Sequence, residues 1–157
     1  MVRLLLIAHA PLATAFRAVA AHAFPDTPVE AIDVAPGDDP RDIEAQARRH
    51  LGGANPVATL VLTDVFGATP ANVAQRLADA GRVRVLAGLN VPMLWRALNY
   101  ATLPLDEAAA RAVAGGAQGV MSVALPRPQN QTISPAHDAD QQHHHQQRAD
   151  HAGQFTA

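Results

Sequence analysis

The chain has 157 residues, a formal charge of -2 at neutral pH and 48% apolar residues, which is about one domain's worth with enough apolar surface for a buried core. Its 12 basic residues are all Arg and are scattered, the longest cluster being Arg48-Arg49, so a nucleic-acid footprint is excluded. Cysteine is absent, which rules out disulfides, zinc-thiolate sites and cysteine nucleophiles.

The apolar run that follows Arg3 stops at Ala8, short of a signal sequence, and no other stretch approaches membrane-spanning length. The expectation is a soluble cytoplasmic protein with no direct membrane insertion. Val2 to Ala8 is a continuous apolar run, the pattern of a strand covered on both faces in a parallel sheet. Pro11 then opens a first helix, with Leu12, Phe16 and Val19 at helical spacing, which Phe24-Pro25 ends. Val29 to Val34 forms a second strand. Asp39 as N-cap and Pro40 at the first helical position start a second helix, whose apolar stripe is Ile43, Ala47 and Leu51 and which Gly52-Gly53 closes.

Val57 to Leu62 is the third strand. Thr69 as N-cap and Pro70 behind it start a third helix, which carries Val73 and Leu77 and ends at Gly81. Val83 to Ala87 is the fourth strand, and Asn90 caps a fourth helix that buries Leu94 and Leu98. A fifth helix covers about Asp106 to Gly116 with Val113 inward, and Gly119 to Leu125 is a last strand. This alternation with short connections predicts an α/β fold with a mostly parallel sheet and helices on both faces. From Pro126 onward the composition turns to Pro, Gln, Asn, His, Asp and Ser. Residues 1-125 are therefore expected to form the domain, and residues 126-157 a disordered Gln- and His-rich tail.

Two strands end on reactive side chains. His9 stops strand one and Asp64 follows strand three, among the carboxyl ends of the strands where ligands and chemistry collect in an open α/β sheet. Neutral imidazole is a competent nucleophile near neutral pH. A carboxylate bonded to one ring nitrogen fixes the tautomer, frees the other nitrogen to attack and steadies the growing positive charge. Phe66-Gly67-Ala68-Thr69 precedes a helix N-terminus, where backbone N-H groups favour an anion such as a phosphoryl group. There is no Lys and no Walker or dinucleotide fingerprint, so a nucleotide site of those kinds is unsupported.

Taken in order and spacing, Ile7-Ala-His-Ala, Pro36-Gly-Asp-Asp, Leu62-Thr-Asp-Val-Phe-Gly-Ala-Thr-Pro-Ala-Asn72 and Gly88-Leu-Asn-Val-Pro-Met-Leu94 resemble the mannose-type enzyme IIA domain of the bacterial phosphoenolpyruvate-dependent sugar phosphotransferase system. The resemblance spans nearly all of residues 1 to about 123. It implies that His9 accepts a phosphoryl group from the phosphocarrier protein HPr and passes it to a IIB partner. It further implies that Asp64 orients His9 and that Phe66, Gly67, Ala68 and Thr69 form the phosphoryl-binding loop. The fold it implies is a flavodoxin-like doubly wound sheet of four parallel strands and one antiparallel C-terminal strand, in a homodimer that can exchange that last strand. Many members carry Gly after the histidine and Gly-Gly in the loop, where this chain has Ala10 and Ala68.

No cofactor or metal is expected. His22 and His50 are expected to be solvated, and the tail histidines His137, His143, His144, His145 and His151 lack the surrounding hydrogen-bond partners that make a metal site. The alternative function is a regulatory module whose phosphorylation state reports on an incomplete phosphotransferase system without sugar transport. A flavin binder of flavodoxin type is disfavoured, because one Trp and one Tyr leave little to stack on an isoalloxazine.

Overall fold

The structure is a computed structural model that describes residues 1-52 and 57-123. Four strands, β1 (Arg3-His9), β2 (Val29-Val34), β3 (Thr59-Thr63) and β4 (Val83-Ala87), alternate with helices α1 (Leu12-Ala23), α2 (Pro40-His50), α3 (Thr69-Gln75) and α4 (Val91-Asn99), and α5 (Leu105-Gln118) follows. The strands pair in the order β2-β1-β3-β4, and all three pairings are parallel.

Side-chain alternation along the strands divides the core in two. Leu4, Leu6, Ala8, Leu60 and Leu62 face one side and pack with residues of α1, α4 and α5. Leu5, Ile7, Ile32, Val34 and Val61 face the other and pack with Ile43, Ala47 and Leu51 of the α2 region and with Val73, Ala74 and Leu77 of the α3 region. β1 and β3 are consequently apolar at nearly every position, as strands covered on both faces must be.

Local chemistry explains the helix starts. Asp39 accepts the Arg41 N-H at 2.8 Å, and Asn90 accepts the Met93 N-H at 2.9 Å; a Pro in the first turn of each helix gives up no hydrogen bond that the helix could have made. The Asn90 amide also donates to Gly116 O at 3.1 Å, joining the start of α4 to the end of α5. Gly116 suits this close approach: a Cβ there would stand 2.8 Å from Met93 Cε and 3.1 Å from Met93 Cβ, so the Met93 side chain would have to shift.

Several expectations are corrected. α1 begins at Leu12, with Pro11 as a cap that bears no side-chain bond, and Leu12 and Val19 are exposed while Ala13 and Ala20 are buried. A helix lying close over a sheet buries small side chains more readily than large ones. The same holds for α5, where Val113 points outward and Ala108, Ala109, Ala112, Gly115 and Gly116 face inward. The N-cap of α3 is Ala68, without a side-chain bond, rather than Thr69, and the helix stops at Gln75 instead of reaching Gly81. Residues 119-123 form no strand; the remaining two residues of the expected last strand, and the expected tail 126-157, lie outside the described residues. So does Gly53, while Gly52 ends α2 with φ +92°.

Candidate active site

The chain order fixes where a site can form. From β1 the chain turns outward to β2 and then returns to place β3 on the other side of β1. β1 and β3 therefore flank the point at which the winding reverses, and the crevice beyond their carboxyl ends is the binding position in this architecture. His9 is the last residue of β1 and Asp64 the first residue after β3.

The two side chains meet there. His9 Nδ1 lies 2.7 Å from Asp64 Oδ2, and the same carboxylate oxygen accepts the His9 backbone N-H at 3.0 Å. Asp64 Oδ1 accepts the Val65 N-H at 2.8 Å, and the Asp64 carbonyl accepts the Gly88 N-H at 2.7 Å. Burial works against ionisation of Asp64, but the bonds from His9 N-H, from the His9 ring and from Val65 N-H outweigh it. The carboxyl is held below the ordinary carboxylate range. With Asp64 ionised and acceptor-only, Nδ1 carries the proton that fills the 2.7 Å bond, and in the neutral ring this tautomer leaves the lone pair on Nε2.

Exposure separates the two roles: the His9 side chain is 48% exposed and that of Asp64 only 9%. About half of the His9 side chain is open to solvent, while its Nδ1 is held by the buried Asp64 carboxylate. The groove of about 300 Å³ beside α1, lined by Arg17, Pro25, Thr27 and Pro28 among others, includes neither residue. His9 is half exposed and lies outside that groove.

The loop behind Asp64 is shaped by one glycine. Gly67 takes φ +86°, a left-handed conformation costly for any side chain, and its carbonyl accepts the Asn72 amide at 3.1 Å. Ala68 sits at φ -81° and ψ 168°, extended backbone open to any residue, so alanine fits without strain. The Gly67 and Thr69 N-H groups make no hydrogen bond among the described residues. Phe66 is 78% exposed at the loop's tip, next to exposed Val65.

The structure thus brings His9 and Asp64 into contact and puts Phe66, Gly67, Ala68 and Thr69 in the loop that leaves Asp64. Asn72, which braces the loop, was given no role on sequence grounds; an amide side chain five residues after a Gly-containing turn is the signal that could have found it. His22 is exposed, whereas His50 is half-buried with its Nδ1 3.4 Å from Glu30, so the expectation of two solvated histidines holds for only one. The tail histidines lie outside the described residues, and no group of three or more metal-ligating side chains occurs among the described ones.

The family model described as the fructose IIA component of the phosphotransferase system matches residues 3-114, a span that contains β1 through most of α5 and both members of the His9-Asp64 pair. The chain belongs to this IIA family. Among solved structures, the mannose/sorbose-specific IIA subunit from Enterococcus faecalis is 29% identical, with 81% of this chain and 98% of that one covered at a TM-score of 0.73. The phosphotransferase component EIIA from Streptococcus agalactiae shares the fold at 23% identity and a TM-score of 0.71, over 78% of this chain and 97% of that one. A IIA protein associated with a fucose utilization operon in Streptococcus pneumoniae matches at 20% identity and 0.61, over 78% and 96%. None of the curated proteins compared with the chain matches significantly. As a IIA component it is a member of a phosphotransferase family, and no helix of the described residues is long and apolar enough to cross a membrane.

Proposed function

We propose that the chain is a phosphocarrier that accepts a phosphoryl group from phospho-HPr on His9 Nε2 and delivers it to a IIB partner. The observation that carries this reading is the 2.7 Å contact between Nδ1 of a half-exposed His9 and the ionised Asp64. In the forward step the Nε2 lone pair forms the new N-P bond as the P-N bond to the HPr histidine breaks. The electron pair of that bond returns to the HPr imidazole. The His9 ring gains positive charge, which Asp64 balances through Nδ1-H, and no proton has to move. One phosphohistidine replaces another, so catalysis requires positioning and charge stabilisation rather than a large chemical driving force.

The loop from Phe66 to Thr69 receives the phosphoryl oxygens, with the unbonded N-H groups of Gly67 and Thr69 as donors. Exposed Val65 and Phe66 offer apolar contact area to the docking protein. The proposed partners share the cytoplasm with the chain. A homodimer is part of the same reading: Val120 and Met121 stand exposed after α5, in the stretch where the resemblance puts an exchangeable last strand. No observation favours the regulatory alternative over transfer.

Incubation with phosphoenolpyruvate, enzyme I and HPr tests the proposal. One acid-labile, base-stable phosphoryl group per chain is expected, and His9→Ala should abolish it while the chain stays folded. Labelling that persists in His9→Ala, or a wild-type chain that remains unlabelled with a cognate HPr, overturns the assignment.

A further inference from the structure

The acceptor histidine is separated from α1 by only Ala10 and Pro11, and that helix begins without the usual means of satisfying its first turn. Its cap residue, Pro11, makes no side-chain bond, and the first turn holds no acidic residue. The missing acceptor comes from the neighbouring strand. Asp33 of β2 accepts the Thr14 N-H on Oδ1 at 3.2 Å and the Thr14 hydroxyl on Oδ2 at 2.6 Å. Thr14 is the third helical residue, where an N-cap side chain normally finds its donor. A negative carboxylate at a helix start also meets the positive end of the helix dipole.

Asp33 is well placed to govern His9. In the β1-β2 ladder Asp33 is the partner of Ala8 and Val34 the partner of His9, and the Ala10 N-H donates to Val34 O at 3.0 Å. The turn from β1 into α1 is therefore held at both ends by adjacent residues of one strand, Val34 at Ala10 and Asp33 at Thr14. Asp64 holds His9 from the β3 side.

We infer that Asp33 is a positioning residue for phosphoryl acceptance, acting through Thr14 to fix the turn that aims His9 at Asp64 and at the incoming phosphoryl group. This rests on His9 being the acceptor. It goes beyond that reading, because Asp33 touches neither the ring nor the reacting atoms. Its second effect is to fill the anion-favouring end of α1 with the protein's own carboxylate. A phosphoryl group on His9 is then not drawn toward that helix, and the loop after Asp64 is left as its receiver.

The test uses the full chain with Asp33→Ala, Asp33→Asn, Thr14→Ala and Thr14→Ser. One readout needs no phosphoryl chemistry: the low-field NMR signal of the His9 Nδ1 proton in its bond to Asp64. Asp33→Ala should shift or broaden that signal. It should also lower the maximal rate of acceptance from phospho-HPr by about tenfold or more, the scale of loss that a displaced reacting geometry produces, with the half-saturating HPr concentration unchanged. Thr14→Ala should lose part of the rate, and Thr14→Ser, which keeps the hydroxyl donor, should restore it. If Asp33→Ala melts lower but keeps the wild-type proton signal and rate, Asp33 merely caps a helix and the inference fails. Should Asp33→Ala not fold, equal rates for Thr14→Ala, Asp33→Asn and wild type overturn it equally. A wild-type chain that is not labelled at all defeats the phosphocarrier reading instead, while the proton signal still decides whether Asp33 aims the ring.

Discussion

Replacing Asp64 by Asn preserves the size of the side chain and turns one of its two acceptor positions into a donor. If the amide oxygen takes the Oδ2 position, both His9 bonds survive, but the NH2 group then faces the Val65 N-H, a donor that now reaches the carboxylate at 2.8 Å. If the oxygen takes the Oδ1 position, the NH2 group faces the His9 N-H and ring. Nδ1 must then accept, the ring proton moves to Nε2, and the attacking lone pair is gone. Both arrangements lose the charge that balances the ring as the phosphoryl group arrives. A hydrogen bond to a charged group contributes about 1.5-3 kcal/mol, and an opposed donor costs about 1-3 more. At about 1.4 kcal/mol per power of ten, acceptance should slow by roughly two to four powers of ten, the upper end matching the corresponding change in a serine-protease triad. Rapid-quench mixing with labelled phospho-HPr gives the rate, and circular dichroism confirms that the variant is folded. A folded variant whose rate stays within about threefold of wild type, under about 1 kcal/mol of barrier, would remove Asp64 from the mechanism.

Acid should separate wild type from the same variant in a defined direction. Because the Asp64 carboxyl is held below its ordinary value of 3.8, its contribution to stability is present in full above that value and is lost as pH falls through the lower value of the folded protein. Urea unfolding across that range should show the stability gap between wild type and Asp64→Asn closing with acid; a pH-independent gap would contradict the assignment. In the loop, Gly67→Ala meets no neighbouring atom within 4 Å but forces a side chain into φ +86°. It should destabilise the chain by about 1-2 kcal/mol, seen as a lower melting temperature, whereas an unchanged melting temperature would show that the loop does not hold that conformation.

The parts of the fold that were legible in the sequence were those with a single physical cause. Apolar runs covered on both faces gave β1 to β4 to within two residues, and Asp39 and Asn90 cap where a short polar side chain precedes Pro in the first turn. His9 and Asp64 could be paired in advance because each ends a strand and neighbouring parallel strands end together. What escaped depended on tertiary distance. Choosing large apolar side chains put Leu12 and Val19 inward, but the close approach of α1 to the sheet buries Ala13 and Ala20 instead. Gly115 and Gly116 are inward for the same reason on α5, where Pro92, Met93 and Arg96 leave no room for a Cβ. The bond from Thr14 to Asp33 joins residues 19 apart, and nothing local marks a carboxylate on one strand as the cap of a preceding helix.

The central place of β1 bears on how the site fails under stress. β1 is bonded along its length to β2 on one side and β3 on the other, and its interior residues from Leu4 to Ala8 are fully buried. Amides in such a strand exchange with solvent only when the whole sheet opens, whereas elements at an edge can fray alone. His9 is half exposed, yet it terminates the segment expected to be last to let deuterium in. Local breathing confined to α5 touches neither residue of the His9-Asp64 pair, so the proposed competence to accept phosphate should decay with the loss of β1 and its neighbouring strands and not with fraying of that helix.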